Sequence, residues 1–230
     1  MGSIDDKRQL LFLHGYLADK RCFSYQYAYF EKNFEIFALD LKGFGENADM
    51  EYPYSLDDYI MEVKEFCYKK GVICPSVIAH SFGGRIAVKL SALEKEFFKK
   101  IVLTGSAGLK PRFSIKKAVK KTTYKVLRKF MEKEKLEFLF SSDYNKLSGV
   151  MKDSFSKIVS EYLDDYLERI TNQTLIVFGS KDKETPIYMA KRLKQKIKNS
   201  SLKIFEGAGH FCFIDKPLKF NMEVGEFLLS

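Results

Sequence analysis

The sequence predicts an α/β domain in three layers, a mostly parallel β-sheet with helices on both faces. Three observations carry this: six short apolar runs, helical patterns between most of them, and one interval too long for a simple connection. The runs are residues 9–13, 35–39, 76–79, 101–104, 174–178 and 202–205. They are continuously apolar rather than alternating, as strands are when both faces of a parallel sheet are buried. Residues 55–70, 84–93, 186–198 and 217–229 have helical spacing. Pro186 and Pro217 suit first helical positions, where a missing N–H costs nothing. Strand followed by helix, repeated, implies parallel pairing through right-handed crossovers.

Between the fourth and fifth runs lie about seventy residues, far beyond an ordinary connection. Residues 108–170 carry helical patterns of their own. Ile115, Ala118, Val119, Thr122, Val126 and Phe130 form one apolar stripe with lysines opposite; others are 136–140, 149–159 and 162–170. This segment reads as a helical cap inserted into a single structural unit whose core is residues 1–107 and 171–230.

Composition limits the function classes. A chain of 230 residues, 46% hydrophobic and 30% charged, buries a substantial core and is globular rather than disordered. No apolar run approaches the ~20 residues that span a bilayer. The opening MGSIDDKRQLLF has no signal-peptide pattern, and Asp6 stands where a myristoylation signal needs Ser or Thr, so a cytoplasmic location is expected. Cys22, Cys67, Cys74 and Cys212 lack metal-type spacing and read as free buried thiols. The three histidines, His14, His80 and His210, are too dispersed for an obvious metal cluster. The formal charge of +9 lies entirely between residues 110 and 135, where eleven Lys and Arg face only Glu132 and Glu134. Charge confined to one segment argues against a nucleic-acid binder.

In open parallel sheets the chemistry gathers beyond the carboxyl ends of the strands. Each run here ends on polar or glycine-rich residues. They are His14-Gly15-Tyr16, then Asp40-Leu-Lys-Gly43-Phe-Gly45, then Ala79-His80-Ser81-Phe82-Gly83-Gly84. After the fifth run comes GSKDKETP, containing Asp182, and after the sixth GAGHFCFIDKP, containing His210. Ser, Asp and His follow in that order, each just past a strand. No acid follows the fourth run, which reads TGSAG.

The chain resembles the α/β-hydrolase family on these residues. The order Ser…Asp…His and a serine in a strand-to-helix turn are the family's signature. GSKDKETP looks like its acid loop and GAGHFCFIDKP like its histidine loop. HGY resembles its oxyanion turn, and DLKGFGEN the Asp-x-x-Gly-x-Gly loop of small bacterial lid-bearing members. The resemblance spans nearly the whole chain and implies an α/β-hydrolase fold in reduced form. Only eight residues precede the first run, so the two strands that usually come before it are expected to be missing. Six strands in the order 2-1-3-4-5-6 remain. Lys42 stands where many relatives have Pro. A serine nucleophile and the absence of Trp argue against dehalogenase and epoxide hydrolase relatives, which attack with Asp.

The resemblance implies a role for each residue. Ser81 is the nucleophile, His210 the base that takes its proton, and Asp182 the acid that fixes the histidine tautomer. Tyr16 and Phe82 supply backbone N–H groups to the oxyanion. The residues alone leave alternatives: Ser81 as a helix cap, Glu184 as the working acid, His210 as a loop histidine. His14 and His80 read as structural. Phe140, Leu147, Met151 and Phe155 are candidates for an apolar acyl pocket, or for packing within the cap.

The implied activity is hydrolysis of a small ester or thioester through an acyl-serine intermediate, with no cofactor and no metal. The same triad also serves carbon–carbon bond hydrolases, lyases, acyltransferases and hydrolase-like binding proteins of low turnover. The expected partner is a small-molecule acyl substrate. The basic helix at 114–131 is a solvated face, a guide for anionic substrates, or a peripheral contact with an anionic membrane surface. Oligomeric state is not legible.

Overall fold

The computed structural model describes residues 8–112 and 149–230. Six strands pair in parallel: β1 (Arg8–Leu13), β2 (Phe34–Ala38), β3 (Ser76–His80), β4 (Lys100–Thr104), β5 (Gln173–Gly179) and β6 (Ser200–Phe205). Their spatial order is β2-β1-β3-β4-β5-β6, the topology expected from the sequence. β3 is therefore interior, paired on both sides, by β1 and by β4.

Successive strand residues point to opposite faces, and the apolar runs supply both. Leu11, Leu13, Val77, Ala79, Ile101 and Leu103 face one layer. Its helices are α2 (Leu56–Lys70), α3 (Phe82–Leu93) and, after α4 (Gly149–Ser160), α5 (Ile187–Lys196). Leu10, Phe12, Ile78, Val102, Leu175 and Val177 face the other layer, formed by α1 (Ser24–Phe30), α6 (Cys212–Asp215) and α7 (Pro217–Leu229). α2 starts on a capping box in which Ser55 and Asp58 exchange hydrogen bonds.

The structure differs from expectation at several places. Residues 162–170 are not a helix but tight turns ending in a 3₁₀ turn at Leu167–Arg169. Tyr166, Arg169 and Ile170 donate to residues three back, so Leu163, Leu167 and Ile170 reach the core while the chain descends to β5. Pro186 precedes α5 as its N-cap rather than opening it. α1 and α6 were not foreseen, because seven and four residues are too short for a periodic signal. All four cysteines are free, but only Cys67 and Cys212 are buried; Cys22 is half-buried and Cys74 exposed. Phe140, Leu147 and the basic stretch 114–131 lie outside the described residues. No described helix is long and apolar enough to cross a membrane.

α4 is fastened to the core along its length. Tyr16 Oη donates to Met151 O at 3.1 Å, Tyr54 N–H to Ser154 Oγ at 2.9 Å, and Lys157 Nζ to Pro53 O at 2.9 Å. Beneath it, Glu62 of α2 fixes the loop after β2. Its carboxylate accepts from Lys42 N–H at 3.0 and 3.1 Å and from Asn47 Nδ2 at 2.9 Å.

Burial pushes the Glu62 carboxyl up from 4.5 to about 7, against the opposing effect of those hydrogen bonds. The folded chain thus holds this proton more tightly than the unfolded chain. The contribution favours the fold below about pH 4.5 and is lost as pH rises through about 7. Urea titrations at pH 5 and pH 8 are expected to show wild type losing about 1–2 kcal/mol more stability across that interval than Glu62→Gln, after allowance for solvent screening.

Candidate active site

Ser81 lies in the turn between β3 and α3 with φ 49° and ψ −104°, a left-handed conformation that costs a non-glycine residue about 1–3 kcal/mol. Two hydrogen bonds, one to the end of β4 and one to the loop that follows it, hold it there: Ser81 N–H donates to Thr104 O at 3.1 Å and Ala107 N–H to Ser81 O at 3.1 Å. Ser81 occupies the N-cap position of α3, yet its hydroxyl makes no capping bond. The helix-cap reading of this serine is therefore not what the structure shows.

The glycines around the turn are there for close approach. Gly83 N–H donates to His14 O at 3.0 Å, and a Cβ on Gly83 would lie 2.3 Å from Leu13 O. A Cβ on Gly15 would lie 2.8 Å from His80 Cδ2 and 3.3 Å from Ser81 Cβ. The His-Gly turn and the serine turn thus press directly against each other. Tyr16 follows in a turn closed by Ala18 N–H to Gly15 O at 3.2 Å. Phe82 opens α3, so its N–H has no acceptor within the helix.

Asp182 and His210 come from the neighbouring strand ends. Ser180 N–H donates to Phe205 O at 2.9 Å and Lys181 N–H to Ala208 O at 2.8 Å, which joins the loop after β5 to the loop after β6. Across that junction His210 Nδ1–H donates to Asp182 Oδ2 at 2.8 Å. Glu184, the competing acid, is exposed, and only its backbone takes part, donating to Asp182 Oδ1 at 2.9 Å. Thr185 was not singled out from the sequence, although a threonine three residues after an aspartate in a turn is a local signal for it. Its N–H donates to Asp182 Oδ1 at 2.8 Å and its hydroxyl to Asp182 Oδ2 at 2.7 Å. Burial raises the Asp182 pKa, but the hydrogen bonds and charge of His210 and the bonds from Thr185 outweigh it, and the net shift is downward. The carboxylate stays ionised, so His210 Nδ1 carries the proton and Nε2 is left as acceptor.

The other two histidines are buried and neutral. His14 Nε2 accepts from Leu41 N–H at 3.0 Å while its Nδ1 faces Gly15 O at 2.8 Å. His80 Nδ1 donates to Thr104 O at 3.0 Å. Burial first, and then the charge of His210, lowers its pKa to about 3.

These elements surround one cavity of about 440 Å³. Ser81, His210, Tyr16 and Phe82 line it, together with Phe155 and Ile158 of α4. Of the four acyl-pocket candidates, Phe155 is on this wall. Met151 is not: its sulfur packs over Gly43, where a Cβ would come within 2.5 Å of it. Sequence reading also missed Arg85, which lines the cavity from α3. Its helical spacing from Ser81 was a usable signal. Among the described residues no cluster of side chains suits a metal ion.

Gly83→Ala is expected to cost about 2–4 kcal/mol, because backbone rather than a movable side chain blocks the added methyl. Denaturant unfolding of the variant beside wild type measures it.

Comparison with known proteins agrees with this architecture. The model of the alpha/beta hydrolase family matches residues 10–223. A Mycoplasma pneumoniae protein that carries the name esterase/lipase 2 is 29% identical over 96% of this chain and 89% of its own length. The AB hydrolase superfamily protein YisY of Bacillus subtilis is 27% identical, covering 96% of this chain and 91% of that protein. Among solved structures, an esterase from Exiguobacterium antarcticum superposes with a TM-score of 0.78 at 22% identity, over 97% of this chain and 92% of that one. The chain belongs to the alpha/beta hydrolase family.

Proposed function

We propose that this hydrolase cleaves a small ester or thioester through an acyl-Ser81 intermediate. The observation that carries the reading is a strained serine opening onto the same cavity as a histidine whose Nδ1 is held by an ionised aspartate. A serine hydroxyl is a weak nucleophile near neutral pH and needs a positioned base. His210 Nε2 takes the Ser81 proton as Oγ attacks the substrate carbonyl. Asp182 keeps the tautomer and stabilises the imidazolium. The N–H groups of Tyr16 and Phe82 meet the negative charge that develops on the carbonyl oxygen, each worth about 10²–10³ in rate.

Collapse of the tetrahedral intermediate breaks the ester C–O or thioester C–S bond. His210 returns its proton to the departing alcohol or thiol, and the acyl group remains on Ser81. Water, deprotonated by His210, then attacks the acyl carbon, and Ser81 leaves with the proton. The apolar wall formed by Phe82, Phe155 and Ile158 suits the hydrocarbon of an acyl chain.

Wild type treated with a fluorophosphonate probe is expected to take up one label, and Ser81→Ala none. On p-nitrophenyl esters the same substitution is expected to lower kcat roughly 10³–10⁶-fold. A wild type that neither labels nor turns over, with Ser81→Ala indistinguishable from it, overturns the reading.

A further inference from the structure

Arg85 is the one Lys or Arg side chain on the cavity wall among the described residues. It follows Ser81 by four positions, so it lies on the same side of α3, about 6 Å further along the helix axis. It is only 7% exposed. Its Nη1 donates to Ile158 O at 2.8 Å and to Glu161 O at 2.9 Å, carbonyls at the C-terminal end of α4, where a cation is favoured. Both Nη1 protons are thereby used, and the guanidinium plane is fixed.

Among the described residues the rest of the group is not matched. Nε and Nη2 make no hydrogen bond with the described residues, and none of their carboxylates pairs with Arg85. The nearby acid, Glu161, is taken by Lys89 Nζ at 2.6 Å, and Lys89 also holds Asp57 at 2.7 Å. Burial works against the charged guanidinium more strongly than the distant charge of Glu161 favours it, and the two carbonyls offset only part of that cost. The edge left over, Nε with Nη2, offers two parallel N–H donors, the fork that matches a carboxylate. Glu184, the acid on the cavity lining, is exposed, and His80 is neutral.

We propose that Arg85 is the specificity residue of this site and binds a carboxylate carried on the acyl part of the substrate. The preferred substrates are then half-esters or half-thioesters of short dicarboxylic acids. The free carboxylate lies a few carbons from the scissile carbonyl, and water releases the diacid and an alcohol or thiol. The proposal rests on the serine-hydrolase reading for its chemistry, but its binding half is testable without turnover.

Monomethyl esters of succinic, glutaric and adipic acid are compared with methyl butanoate, pentanoate and hexanoate, following acid release. Wild type is expected to favour at least one anionic ester over its neutral counterpart by about tenfold or more in kcat/KM. That ratio falls to about one in Arg85→Gln and to an intermediate value in Arg85→Lys, which keeps the charge but not the fork. In parallel, calorimetry with glutarate is expected to show binding to Ser81→Ala and a loss of about tenfold or more in Ser81→Ala/Arg85→Gln. A wild-type ratio near one, or a ratio unchanged by Arg85→Gln, overturns the proposal. So does a fall of both ester classes in equal proportion, which marks Arg85 as a fastening for α4 alone. If no ester is cleaved and the fluorophosphonate fails to label, the hydrolase reading fails. Arg85-dependent glutarate binding still supports the carboxylate site in that case, and glutarate binding indifferent to Arg85 removes it.

Discussion

The backbone of Ser81 is the constraint on which the site depends. A left-handed serine is unfavourable on its own and survives only where its surroundings over-determine it. Here the peptide groups on either side of the strained position are pinned to the end of β4 and to the loop just beyond it. The next turn of the chain is pinned to the residue just past β1, through Gly83 and His14. An edge strand has no neighbour on one side and cannot be held in this way. The interior place of β3 in the sheet is thus a requirement of the serine's conformation rather than a detail of topology.

Asp182 and His210 are twenty-eight positions apart in sequence, yet their side chains meet because β5 and β6 are paired up to their last residues, Gly179 and Phe205. The register of that pairing carries the two loops out together, and backbone hydrogen bonds beyond the sheet continue it as far as Ala208. Thr185 donates to both oxygens of the carboxylate, through its N–H and its hydroxyl, and Glu184 N–H adds a third bond, so that the acid is held against rotation. Sheet register, loop pairing and one hydroxyl together set the tautomer of a ring several residues past the last strand.

Much of this was legible in the sequence, for definite reasons. Runs such as VIAH and LIVFG are apolar on both faces because both faces are covered, and that marks interior parallel strands. The positions of Ser81, Asp182 and His210 just past such runs located the cavity. What escaped notice was chemistry without a periodic or motif signal. α1 is short and aromatic on all sides, as SYQYAYF shows. Residues 162–170 keep a helical spacing of apolar side chains while folding as turns. Met151 and Phe155 are one helical turn apart, and sequence did not reveal that one packs on Gly43 while the other faces the cavity. Arg85 was passed over although it stands one helical turn beyond Ser81, because an arginine in a helix carries no sign of burial in its sequence, and here it is buried.

The ring of His80 lies 4.7 Å from that of His210, centroid to centroid. Two imidazoles this close do not carry charge together, and His80 is held neutral by its burial. The consequence concerns how many protons the cavity can store. Of the two histidine rings that line it, His80 is neutral and its Nδ1–H is engaged by Thr104 O, so it takes up no further proton. In the proposed cycle the proton that leaves Ser81 and the one that leaves the incoming water then pass through the same ring, His210, one after the other.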